Sequence, residues 1–108
     1  MAKVTLEVQT FPGYELNKEN VDKLLEEASE AAHEGFRLND MGDDKWSNID
    51  YITTRTKFME ECMDTIQVCV NLMSTLFSEE KLQLNMAIVY EEIHFKNTVR
   101  RRYDEQQD

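Results

Sequence analysis

Two short groups of acidic residues have a spacing that matches the turn of a helix. The first reads E-E-A-S-E and begins at Glu26, and the second reads E-C-M-D and begins at Glu61. Residues three apart on a helix project from the same side, one turn apart. Glu27 and Glu30 therefore form one pair of carboxylates, and Glu61 forms another with Asp64. Two such helices side by side would bring four carboxylates together, which is the oxygen environment that Mg²⁺ and Mn²⁺ prefer.

The second acidic pair lies on the continuation of an apolar row of its helix. Val68 and Leu72 follow Glu61 and Asp64 along one inclined row of the helix surface. Burial of an unpaired carboxylate costs several kcal/mol unless a cation or a hydrogen-bond donor compensates it. A bound metal ion would supply that compensation. Because the chain has 22 acidic residues, a solvated helix face is the alternative interpretation of both patterns.

Three long helices are predicted as the elements that position these acids. Their predicted spans are about 18–38, 47 or 48 to 77, and 79–102. Asn17 is the predicted N-cap of the first helix, and Ser78 is that of the third. The first helix has an apolar stripe at helical spacing, formed by Val21, Leu24, Leu25, Ala28, Ala31 and Ala32. The sequence thus predicts an all-α bundle of about three long helices.

The segment before the first helix has a different pattern. Val4, Leu6 and Val8 alternate with polar residues, which predicts a short extended arm with strand character. The dipeptide at 12–13, Pro-Gly, predicts a turn. The predicted organisation is an N-terminal arm at 1–16, a helical domain at 17–103 and a frayed tail at 104–108.

Composition limits the partners of the chain. A formal net charge of −10 on 108 residues disfavours nucleic acid and anionic membranes, and no apolar stretch is long enough for a membrane span. Cys62 and Cys69 lie two helical turns apart, beyond the reach of a disulfide, and no secretory signal is predicted. The expected location is therefore the cytoplasm. The second helix is apolar on nearly every side over 66–77, so we expect a second subunit to cover part of it.

The order of the two acidic patterns resembles the MazG-like branch of the all-α nucleoside triphosphate pyrophosphohydrolases. E-E-x-x-E begins at Glu26, E-x-x-D begins at Glu61, and the third helix contains FKNTVRRRY, similar to the Lys-Asn…Arg ending of that family. The resemblance covers residues 21–103. The interval between Glu30 and Glu61 is 30 residues, at or beyond the long end of the usual range, and the extension at 1–14 is not part of the family pattern.

The resemblance implies hydrolysis of a (deoxy)nucleoside triphosphate between its α and β phosphates, which gives a monophosphate and pyrophosphate. It also implies a Mg²⁺ cofactor, with Mn²⁺ as a substitute, held by four ligands: Glu27, Glu30, Glu61 and Asp64. Members of the family form dimers or tetramers, so the resemblance implies a homodimer or a dimer of dimers. Glu26 is the candidate general base, and a solvated surface position is its alternative interpretation.

A triphosphate also requires cationic donors and a surface on which its base can stack. Lys96 and Arg100 continue the apolar row of the third helix, and Asn97 lies beside them, so these three are candidate phosphate ligands. Alternatively, the two cations only complement the dipole at the end of the helix. Trp46 lies in the polar segment between the acidic helices and is the candidate contact for the base. Its alternative role is a cap on the bundle end or on a dimer interface.

A non-enzymatic acidic helical protein that binds or regulates a partner is the competing hypothesis for the whole chain. That function needs carboxylates spread over an outer face. Hydrolysis of a nucleotide needs them to converge on one point. The direction of the acidic side chains therefore distinguishes the two hypotheses.

Overall fold

The computed structural model describes residues 2–41 and 49–107, with side chains as far as Arg101. Within these ranges the chain forms three helices and no strand, so the all-α fold class is confirmed. The helices are α1 (Lys18–Asn39), α2 (Ile49–Ser74) and α3 (Glu79–Gln107). None of them combines the length and the apolar character that crossing a bilayer requires.

Polar side chains lie at the beginning of α1 and at the end of α2. Asn17 has an extended backbone, and its side-chain oxygen accepts a hydrogen bond from Asn20 N at 2.9 Å, which confirms the predicted N-cap. Helix α2 ends at Ser74 rather than at the predicted Phe77. At this end the hydroxyls of Ser74 and Thr75 donate to Asn71 O and Leu72 O and so help to satisfy carbonyls of the last turn.

The chain divides into two compact units, Met1–Thr75 and Leu76–Asp108. The first contains the N-terminal arm, α1 and α2, and the second contains α3. Helix α3 begins at Glu79, as predicted, and continues to Gln107, past the predicted end at Arg102. No glycine or proline interrupts the sequence there, so no residue breaks the helix. Fraying of the last residues stays a prediction.

Within the first unit, α1 and α2 run antiparallel. Glu27 of α1 lies beside Glu61 of α2, while Gly35 lies against Phe58. A Cβ atom at position 35 would stand 3.1 Å from Phe58 Cε1. The missing side chain therefore lets the two helices approach each other closely, and α1 continues through this glycine to Asn39.

The side of α1 that faces α2 combines buried acids with half-buried apolar residues. The two buried residues of α1 are Glu27 and Glu34, whereas Val21 and Leu25 of the predicted apolar stripe are exposed. Only part of the stripe is therefore covered, since Leu24 is half-buried. Apolar residues occupy a wide arc of α1, so periodicity alone does not identify which part of the arc packs against a neighbour.

Side chains of α2 hold the N-terminal arm. Gln67 Nε2 donates to Gln9 O at 2.8 Å, and Phe11 N donates to Asn71 Oδ1 at 3.2 Å. The described part of the arm forms no strand within this chain, where a lone strand has no neighbour with which to pair, and its pairing with another element stays a prediction. The predicted turn at 12–13 follows, with a positive φ of 73° at its glycine.

The arm covers part of the α2 surface for which we expected a second subunit. Leu6, Val8 and Phe11 line a groove together with Met63 and Ile66 of α2. The arm therefore covers some of the α2 surface that we expected a second copy of the chain to cover. Met63 and Ile66 nevertheless remain partly exposed, and dimerisation stays a prediction.

Candidate metal centre

Three carboxylates from α1 and α2 converge at one point of the first unit. Glu27, Glu61 and Asp64 each contribute one oxygen, and these three oxygens lie within 4.8 Å of one another. Glu27 and Glu61 are buried, while Asp64 is exposed. We call these three residues the acidic trio. The two helices thus bring together three of the four predicted metal ligands, with one open side at Asp64.

Local helix geometry and the packing of α1 on α2 together explain the trio. Glu61 and Asp64 are three residues apart on α2, so their side chains project from the same side of that helix. Glu27 comes from α1, about two turns before the close contact between Gly35 and Phe58. The antiparallel arrangement therefore carries the third carboxylate to the pair on α2.

Each buried acid of the trio is paired with a lysine of its own helix. Lys23 Nζ lies 3.0 Å from Glu27 Oε1, and Lys57 Nζ lies 3.0 Å from Glu61 Oε1. In both pairs the lysine precedes the acid by four residues. The sequence reasoning missed these lysines, although the i,i+4 spacing of lysine and glutamate is a signal that would have found them.

The second carboxylate oxygen of Glu61 is unsatisfied. Glu61 Oε2 is buried and has no hydrogen-bond partner among the described residues. Buried polar atoms nearly always have a partner, and a missing partner for a charged group is especially costly. Since Lys57 bonds to Oε1, it does not satisfy Oε2. A divalent cation placed among the trio would satisfy this oxygen, so the residues fit the metal that the sequence predicts.

The pKa values of Glu30 and Glu61 are shifted in opposite directions. When Glu30 is protonated it can donate a hydrogen bond to Glu61, which raises the pKa of Glu30 above its ordinary value, and burial and the charge of Glu27 raise it further. Ionised Glu30 has no proton to donate, so in that state it leaves Glu61 Oε2 without a partner among the described residues. The hydrogen bond from Lys57 lowers the pKa of Glu61, although burial acts in the other direction. Glu30, the fourth predicted ligand, therefore interacts with Glu61 but is exposed and outside the trio.

A groove of about 460 Å³ lies beside the trio. It is lined by Ser29, Glu30, His33, Glu34, Lys57 and Glu61. Glu34 is a further buried acid that the sequence reasoning missed, and Arg37 Nη1 lies 3.4 Å from its Oε2. Every buried carboxylate of α1 and α2 is thus paired with a cation of its own helix.

The other predicted site residues are not members of the trio, or they lie outside the described residues. Glu26 is exposed, with its Oε1 3.9 Å from Lys23 Nζ, and its role as general base stays a prediction. Trp46 lies outside the described residues. The three candidate phosphate ligands lie on α3, in the second unit, and their role also stays a prediction: Lys96, Asn97 and Arg100.

Comparison of the chain with protein-family models, with curated proteins and with solved structures found no match. The resemblance to MazG-like enzymes therefore stays a prediction. The candidate centre rests on the geometry of its own residues, namely the convergent oxygens of the trio and the unpartnered Oε2 of Glu61.

Proposed function

We propose that the protein is a Mg²⁺-dependent, MazG-like nucleoside triphosphate pyrophosphohydrolase that cleaves a (d)NTP between its α and β phosphates. The observation that carries this proposal is the convergence of the trio around a buried oxygen that lacks a partner. Glu27, Glu61 and Asp64 would hold the ion, with Glu30 beside Glu61 as the fourth carboxylate. Mn²⁺ is the expected substitute, because it prefers the same oxygen ligands.

The negative charge of the trio favours a substrate whose own negative charge is neutralised by bound cations. A divalent cation bound there supplies neutralisation of phosphate charge and polarisation of the phosphorus under attack. The chain itself provides an acidic cradle, which repels a bare triphosphate and accepts one whose charge is compensated. Asp64 is the exposed member and gives this cradle its open side.

The remaining roles complete the proposal. Glu26 is exposed and lies outside the trio, and we assign it the part of general base toward a water molecule. The phosphates would be bound by the candidate ligands of α3, and the base would stack on Trp46. The proposed assembly is a homodimer or a dimer of dimers.

The alternative is a non-enzymatic acidic protein that binds a partner through its carboxylates. Such a protein needs its charges on an outer face. Burial of Glu27 and Glu61 supports the hydrolase over this alternative, because a buried carboxylate is not available to a protein partner.

A direct assay tests the proposed function. The purified protein is incubated with each common (d)NTP and Mg²⁺, and released pyrophosphate is measured. We expect release from at least one nucleotide by the wild type and a fall to background for Glu61→Gln. Glu19→Gln is the matched control, because it removes the same charge from an exposed residue near the start of α1. Equal, background-level release by the wild type and Glu61→Gln with every nucleotide would refute the proposal.

A further inference from the structure

The lysine pairs of Glu27 and Glu61 are matched in geometry. Both Nζ–Oε1 distances are 3.0 Å, and the lysine side chains are 49% exposed for Lys23 and 53% for Lys57. Without its lysine, each glutamate would be a buried charge with no nearby cation of its own helix. The chain thus contributes one positive charge for each buried carboxylate of the trio.

The interaction of each lysine with its buried carboxylate allows the ammonium group to move away from that carboxylate. A lysine is a point charge on a flexible stem, and lysine before glutamate is the weaker order of an i,i+4 pair. Each lysine also has a second acid nearby. Glu26 Oε1 lies 3.9 Å from Lys23 Nζ, and the charge of Glu60 helps to raise the pKa of Lys57. Departure from the buried carboxylate therefore does not leave the ammonium group without an acidic neighbour.

The lysines also leave part of the site unsatisfied. Lys57 bonds to one oxygen of Glu61, and the other oxygen has no partner. An ammonium group that approaches one carboxylate from the side does not bridge all three members of the trio. A divalent cation takes six or more oxygen ligands, so it can bind the three convergent oxygens at once.

We propose that Lys23 and Lys57 are exchangeable counter-cations: each holds a buried carboxylate in the metal-free protein and releases it when a divalent cation binds. This inference rests on the proposed function, which makes the trio a metal site. Two consequences follow from it. The lysines stabilise the first unit without metal, and they lower the affinity of the site for a divalent cation by competing with it.

Lys57→Met tests the exchange, because methionine keeps an unbranched stem and removes the charge. Mn²⁺ binding is measured by calorimetric titration, and the melting temperature is measured with and without Mn²⁺. We expect the dissociation constant for Mn²⁺ to fall roughly three- to tenfold, since a competing charge has gone. We expect the metal-free melting temperature to fall as well, so the rise caused by Mn²⁺ becomes larger. Lys23→Met should give the same directions.

Lys18→Met is the matched control. Lys18 Nζ lies 2.7 Å from Asp22 Oδ2 with the same four-residue spacing on α1, but both side chains are exposed and outside the trio. The substitution changes the net charge of the protein by the same amount. We expect its dissociation constant for Mn²⁺ to stay within about twofold of the wild type, as for a screened surface charge.

The outcomes separate this inference from the proposed function. An unchanged or higher dissociation constant in both Lys57→Met and Lys23→Met, with Mn²⁺ still bound by the wild type, would overturn the exchange and leave the metal centre standing. Absence of Mn²⁺ binding from the wild type and from both variants would refute the metal centre together with the exchange. Should Lys57→Met fail to fold without metal, Lys23→Met decides the question by the same two measurements.

Discussion

Helix α2 has buried polar side chains on two of its sides, and the hydrogen-bonding atoms of these side chains are satisfied to different extents. On the side of the N-terminal arm, Asn71 is 2% exposed, and its Oδ1 accepts hydrogen bonds from Phe11 N and Gln67 Nε2. On the side of α1, Glu61 is 7% exposed, with one oxygen bonded to Lys57 and the other without a partner. A buried group that the chain itself satisfies stabilises the fold. A buried charge that the chain satisfies only in part indicates a place for a ligand.

Mutation should therefore have different effects on the two sides. Loss of the Asn71 side chain leaves donors without an acceptor. Loss of the charge at Glu61 removes its pairing with Lys57 but also the cost of burying that charge, so the net effect on the metal-free fold should be smaller. The same helix would therefore have one side whose polar residue stabilises the fold and one side whose charge mainly serves binding.

The largest effect on stability is expected from Asn71→Ala. The substitution removes the acceptor of Phe11 N and Gln67 Nε2, so the free energy of unfolding should fall by about 1–3 kcal/mol. Urea denaturation of the metal-free protein, followed by circular dichroism, measures this change. Asn85→Ala is the control, because within the part of the chain that the structure describes the Asn85 amide bonds to a carbonyl of its own helix, and its effect should stay within about 0.5 kcal/mol. A loss no larger than that of the control would remove the contrast between the two sides.

A smaller effect is expected from Glu61→Gln without metal. Glutamine keeps an acceptor for Lys57 but loses the charge that Lys57 stabilises, and it also removes the cost of burying that charge. The melting temperature of the metal-free variant should therefore fall, but by less than that of Asn71→Ala. With Mg²⁺ the wild type should gain stability and the variant should not, because only the wild type keeps the ligand. A metal-free destabilisation as large as that of Asn71→Ala would contradict the account.

The smallest effect is a pH dependence at Glu30. Its pKa is raised in the folded protein, so it contributes stability that is present below its ordinary pKa and is lost as the pH rises through the raised pKa. Glu30→Gln stays neutral at every pH. The melting temperature of the metal-free variant should therefore exceed that of the wild type at neutral pH, and the difference should shrink as the medium is acidified.

The stability contributed by Glu61 depends on pH in the opposite direction to that of Glu30. Its pKa is lowered, so its contribution to stability is present above its ordinary pKa and is lost as the pH falls through the lowered pKa. Glu61→Gln removes that acid-induced loss. A difference between Glu30→Gln and the wild type that does not vary with pH would show that Glu30 has no special interaction with Glu61.

Local rules were sufficient for the number and order of the helices, though not for the ends of α2 and α3, and for the pair of acids on α2. Asn17 is an N-cap by residue type and position, and Glu61 with Asp64 shares a side of α2 because of three-residue spacing. The same rule places Glu27 and Glu30 together, yet only Glu27 joins the trio. Membership in the trio depends on the rotation of α1 against α2, which spacing within one helix does not specify.

Contacts distant in sequence were the features that sequence patterns did not predict. Phe11 and Asn71 are 60 residues apart, and no short pattern connects a backbone amide of the arm with a side chain of α2. Burial of Glu34 was missed for a similar reason, since an acid in a polar stretch is expected to be solvated. Its burial follows from packing against α2 rather than from its neighbours in the chain.

Binding of a divalent cation by the trio is the central claim, and anomalous scattering tests it most directly. Crystals of the wild type are soaked in Mn²⁺, and data are collected near the manganese absorption edge. We expect an anomalous peak among Glu27, Glu61 and Asp64, with Lys57 Nζ moved away from Glu61 Oε1. Absence of a peak, with the three carboxylates pointing apart into solvent, would contradict it.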